Sequence, residues 1–145
     1  MINLLQYIIE HLIIVIIATV ISVGIGIILG IIGYWIRPLA SPILLFSEAV
    51  QTIPTLALLA ILMILFGLGN TTIISGLVLY ALLPIVRNTH TGLVSVPPAI
   101  KEAARGMGMS KLQRLFWVEL PLAFPLIFSG IKISVVNSLS IAVIG

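Results

Sequence analysis

The sequence predicts an all-α, polytopic membrane protein, a bundle of transmembrane helices with one helical loop on the cytosolic side. Three observations lead there. Of 145 residues, 61% are hydrophobic and only 8% are charged, whereas a soluble domain carries about 25% charged residues. Mean hydropathy is +1.34, so lipid is the better solvent for this surface. Finally, four apolar stretches are long enough to cross a bilayer as helix, which takes about 20 residues.

The first span is expected from about Leu12 to Gly33. Gly24, Gly26, Gly30 and Gly33 leave shallow places for another helix to approach. Tyr34 and Trp35 mark an interface, and Arg37 with Pro38 ends the span. Residues 1–10 hold no Lys or Arg, so they lack the positive n-region of a signal peptide, and the first span is expected to remain in the mature protein. The second span is expected over 43–66, kinked at Pro54. The third covers 72–86 and is closed by Arg87. The fourth covers 122–145, after Pro121. It closes on Gly145 with no polar flank or interfacial anchor, which suggests a fragment lacking later helices. All 145 residues are treated as one transmembrane domain.

Between spans three and four, residues 87–121 form the one long polar segment, with Arg87, Lys101, Glu102, Arg105, Lys111, Arg114 and Glu119. The positive-inside rule places it in the cytoplasm. The Arg37 loop then also lies inside, while the uncharged Gly67–Asn70 turn and the N-terminus lie outside. Within the segment, Pro98 is suited to a first helical turn, so a short helix is expected to about Arg105, ended by Gly106 and Gly108. Ser110 and Gln113 have the spacing of a capping box, which starts a second helix reaching about Glu119. Leu112, Leu115, Phe116 and Leu120 share a face at helical spacing, which predicts a helix–turn–helix lying along the membrane.

Composition also excludes chemistry. With no cysteine there is no disulfide, Fe–S cluster or thiolate metal site. His11 and His90 are single and far apart, so no metal site is expected. No phosphate-binding G-x-x-x-x-G-K-[ST] occurs, nor a nucleophile–base pair, so no catalytic residues and no cofactor are assigned.

The spacing Glu102-Ala103-Ala104, three residues, Gly108, nine residues, Val118, one residue, Leu120-Pro121 resembles the EAA loop of ABC importer permeases. Val118 stands where that pattern usually has Ile. In that family the loop is a coupling helix that docks in a groove of a cytosolic ATPase. The resemblance implies that Glu102, Ala103, Ala104 and Gly108, with Leu120 and Pro121, are the coupling residues here. It also implies that ATP is bound and hydrolysed on a separate subunit. Gln51 to Leu59 and Leu79 to Thr89 look like the osmoprotectant branch, whose members import glycine betaine, choline, carnitine or proline betaine. Family members continue through at least one further helix.

The resemblance implies three protein partners: the cytosolic ATPase, a second permease chain and an extracytoplasmic solute-binding protein. It implies a cell-membrane location and no nucleic-acid partner. An amino-acid cargo such as methionine, or an ion-coupled secondary transporter using Glu48, is the alternative. Several polar residues fall inside the spans. Glu48, Gln51 and Thr52 either line a translocation pathway or bond to neighbouring helices. Lys132 is either a pathway residue or a cation near the cytosolic interface. Asn137 lines the pathway or joins helices, and Pro54 sits at the expected kink.

Overall fold

The computed structural model describes residues 2–144. Expectations placed on Met1 and Gly145 lie outside them. Among the described residues every element is helical: α1 (Ile2–Trp35), α2 (Arg37–Thr52), α3 (Thr55–Phe66), α4 (Asn70–Val94), α5 (Pro98–Gly106), α6 (Lys111–Arg114), a π-helical segment (Leu115–Glu119) and α7 (Leu120–Ala142). Three continuous helices are long and apolar enough to cross a membrane, and the α2–α3 pair makes a fourth if counted as one broken span.

α4 is the axis of the bundle. α1 runs alongside it in the same direction: Val15 and Ala18 join Leu77 in one buried cluster, Gly26 faces Ile85, and Gly30 faces Thr89. A β-carbon at Gly26 or Gly30 would lie 2.6 Å from those side chains, so these two glycines set how closely the helices approach. Gly24 has nothing within 4 Å and takes no part in this seam. α7 runs the opposite way along α4. Gly92 meets Ala123, Asn88 meets Gly130, and the Ser134 hydroxyl donates to the Ala81 carbonyl at 2.8 Å. The outward faces of the long helices are apolar and exposed (Ile16, Val20, Ile64 and Val136 among them), as a lipid-facing surface requires.

The structure corrects four local expectations. The helix of the first span begins by Ile2, not Leu12; Gln6 and Glu10 bond one turn apart in this extra length. Pro54 does more than kink a span. α2 and α3 are bent by 101° about Ile53–Pro54, and Ile53 is extended, as a residue preceding proline prefers. Arg87 does not close α4, which runs on to Val94; an arginine is a good helix former, and this one finds a partner on α2.

The fourth correction concerns the second loop helix. It does not lie apart from the last span. Lys111 to Ala142 form one helix, passing through the π segment. The face of Leu112, Leu115, Phe116 and Leu120 is not shared. Leu115 is buried with Leu93 and Ala123, while Leu112 and Phe116 are exposed. Across a π turn, α-helical spacing no longer maps residues to faces.

Candidate functional site

The loop joining α4 to α7 is built by local rules. Pro97 and Pro98 start α5, with Pro98 in the first turn, where a missing N–H costs nothing. Its end is a Schellman turn. The Met109 N–H donates to the Ala104 carbonyl at 3.2 Å and the Gly108 N–H to the Arg105 carbonyl at 2.9 Å. Gly108 has φ +82, the left-handed backbone this turn requires and which side-chain-bearing residues disfavour. Ser110 then caps α6 reciprocally: its hydroxyl accepts from the Gln113 N–H at 3.2 Å, and its own N–H donates to Gln113 Oε1 at 2.8 Å.

The residues of the Glu102–Pro121 pattern divide between two roles. Glu102 and Ala103 are exposed, whereas Ala104 is buried within this chain. Ala104 is the small residue on which α5 rests; Glu102 and Ala103 face away from it. Pro121 is exposed and Leu120 half-buried against the Leu93–Leu115 cluster. Two cations fasten the loop to α1. Lys101 Nζ donates to the Leu93 carbonyl at 3.1 Å, near the carboxyl end of α4, and lies 4.8 Å from the Tyr34 ring centre. Lys111 Nζ lies 4.9 Å from that of Trp35.

A buried ion pair braces the π segment that leads from α6 into α7. Arg114 Nε donates to Glu119 Oε1 at 2.9 Å, with the two side chains 11% and 1% exposed. This pair is absent from the sequence expectations, and for a physical reason. Residues five apart do not face each other on an α-helix. The π segment, whose bonds run from i to i+5, brings them together; the Leu120 N–H donates to the Leu115 carbonyl.

The polar residues of the spans form two separate groups. Around α4, Glu48 pairs with Arg87, and Gln51 Nε2 donates to the Tyr80 carbonyl at 2.8 Å. In an unbroken helix that carbonyl would accept the N–H of residue 84, but residue 84 is proline and has none. Gln51 supplies the missing donor, as neighbouring helices do for prolines in membranes. The Tyr80 hydroxyl returns the contact by donating to the Ile53 carbonyl, at the break beside Pro54. Thr52 is exposed, its hydroxyl bonded to Ala49 of its own helix. The second group lies on α7, where Lys132 and Asn137 are exposed and line an open pocket with Ser129, Ile133 and Val136. Lys132 Nζ lies 5.2 Å from the Phe128 ring centre.

Residues 22–145 match the family described as binding-protein-dependent transport system inner membrane component. The chain belongs to this family. The membership bears out the resemblance seen in the Glu102–Pro121 spacing and makes the chain a multi-pass inner-membrane transport component. This component is 42% identical over 140 residues to the osmoprotectant import permease protein OsmW of Salmonella typhimurium, covering 93% of this chain and 65% of that protein. It is 41% identical over 141 residues to the glycine betaine/carnitine/choline transport system permease protein OpuCD of Bacillus subtilis, covering 97% and 62%. The chain thus spans less than two-thirds of the length of these curated relatives. A crystal structure of an amino acid ABC transporter with histidines shares the fold, with TM-score 0.64 and 21% identity, over 99% of this chain and 73% of that one.

Proposed function

We propose that this inner membrane component is the permease subunit of an ATP-driven ABC importer that carries a small compatible solute into the cell. Glycine betaine, choline, carnitine and proline betaine are the cargo class. The observation that carries the reading is the loop. Glu102 and Ala103 stand exposed on a helix fixed at its start by Pro97-Pro98 and at its end by the Gly108 turn. The exposed α5 passes through the Gly108 turn into α6, which is continuous with α7 and braced by the Arg114–Glu119 pair, so it is a suitable lever for motion imposed from outside the membrane. The cargo class is supported by the names of the relatives, and we assign ATP hydrolysis to a separate cytosolic subunit.

The orientation follows from charge. Arg37, Lys101, Arg105, Lys111 and Arg114 gather at one end of the bundle, and by the positive-inside rule we take that end as cytosolic and the N-terminus as external. An extracytoplasmic solute-binding protein then meets the opposite end. A second permease chain covers the outward face of α7. Lys132 and Asn137 on that face suit a pathway between two chains better than lipid, where an ammonium at mid-bilayer costs about 2.5–3.5 kcal/mol.

The test is uptake by the complete system in salt-stressed cells lacking other routes. Glycine betaine, choline or carnitine should restore growth and compete with labelled betaine. Competition by methionine with none by these three solutes would overturn the cargo assignment. Uptake that survives ATP depletion but stops with an ionophore would overturn the ATP-driven reading.

A further inference from the structure

The chain has seven Lys and Arg residues, and five of them line a single cavity of about 620 Å³ at the α5 end of the bundle. Arg114 is neutralised there by Glu119. Arg37, Lys101, Arg105 and Lys111 have no carboxylate among the lining residues. Four like charges around one cavity repel one another, and the arrangement favours an anion that sits between them.

The cavity is also preorganised. Lys101 is held by the Leu93 carbonyl and the Tyr34 ring, and Lys111 by the Trp35 ring, so two cations are aimed before any ligand arrives. Tyr34 and Trp35 end the long apolar α1, at the level where aromatic residues meet headgroups. Apolar side chains stand exposed at the same place: Val94 lines the cavity, and Ile36 and Leu39 flank Arg37 in the chain. A ligand that matches all of this carries a phosphate for the cations and hydrocarbon for the rim.

We propose that this cavity binds the phosphate headgroup of an anionic membrane phospholipid, clamping the start of α5 and α6 to the ends of α1 and α4. Basic pockets between membrane helices commonly take such headgroups. The headgroup bridges Arg37 at the start of α2 to Arg105 and Lys111 of the loop, while the exposed Glu102 and Ala103 stay outside the cavity. Bound lipid therefore stiffens the loop without occupying Glu102 or Ala103.

Native mass spectrometry of the permease released from detergent with mixed lipids tests this. Phosphatidylglycerol should be retained, one per chain, at least about tenfold over phosphatidylcholine. Arg105→Gln combined with Lys111→Gln, both exposed positions, should bring retention down to the phosphatidylcholine level. Lys132→Gln, which removes the same kind of charge elsewhere, should leave it unchanged. Equal retention of the two lipids, an unaffected double variant, or an equal loss in Lys132→Gln overturns the proposal. Displacement of the lipid by millimolar inorganic phosphate identifies a free-phosphate site and overturns the lipid assignment. Loss of the lipid on adding the ATPase overturns it in favour of a protein partner.

Discussion

Gln51→Leu should destabilise the bundle through a carbonyl on another helix. Pro84 leaves the Tyr80 carbonyl without its helical donor, and Gln51 Nε2 replaces that donor at 2.8 Å. Tyr80 is buried, so the carbonyl has no water to turn to when the amide is removed. A buried group left unsatisfied costs about 1–3 kcal/mol, whereas side-chain hydrogen bonds inside membranes average about 0.6 kcal/mol because the unfolded state also finds partners. Pro84 removes the usual helical donor of the Tyr80 carbonyl, so a value of about 1–2 kcal/mol is expected, above the membrane average. Pro84→Ala restores the N–H of residue 84. In that background the same Gln51→Leu change should cost markedly less. The assay is a double-mutant cycle on unfolding of the purified permease, and it should yield a coupling of about 1 kcal/mol. If the two substitutions add to within about 0.3–0.5 kcal/mol, Gln51 is not the replacement donor and the reasoning fails.

Two further pairs of substitutions contrast packed positions with open ones. Gly30→Ala places a β-carbon 2.6 Å from Thr89 and should cost about 1–3 kcal/mol of stability, while Gly24→Ala, with nothing within 4 Å, should be neutral or stabilise by about 0.5–1 kcal/mol in the same unfolding assay. Glu119→Gln leaves Arg114 buried without its counter-charge and should cost about 3–5 kcal/mol, whereas Glu48→Gln disrupts the half-exposed pair with Arg87 and should cost no more than about 1 kcal/mol.

What was legible in the sequence was whatever depends on neighbours along the chain. The apolar runs marked the membrane helices, Pro98 and Gly108 marked the ends of α5, and Ser110 with Gln113 marked the cap. Such signals lie in residues contiguous along the chain and need no tertiary partner to be read. The misses share a different cause. The sharp break beside Pro54 is completed by Tyr80, 27 residues from the Ile53 carbonyl it bonds, and Gln51 acquires its meaning only from Pro84. Arg114 and Glu119 meet only because the backbone makes a π turn, which α-helical spacing does not anticipate. The glycines of α1 looked equivalent in the sequence; the register against α4 presses Gly26 and Gly30 tightly onto it, sets Gly33 in ordinary contact with His90, and leaves Gly24 open. The Glu102–Pro121 pattern was legible as a unit, but its division into an exposed pair and a buried Ala104 required the fold.

The proposed function requires that α5 pass force between this chain and a cytosolic ATPase. The most direct measurement is co-purification of that ATPase with the permease, beside ATP-driven betaine uptake, for Glu102→Lys and Gly108→Val. Glu102 is exposed, so its reversal should leave the bundle folded. At Gly108, φ +82 makes a β-branched residue costly by about 1–2 kcal/mol, enough to distort the turn while leaving insertion intact. Both variants should reach the membrane in normal amounts, retain much less ATPase and lose uptake, while the solute-binding protein still docks on the opposite face. ATPase retention and uptake at unaltered levels in both variants would contradict the coupling role.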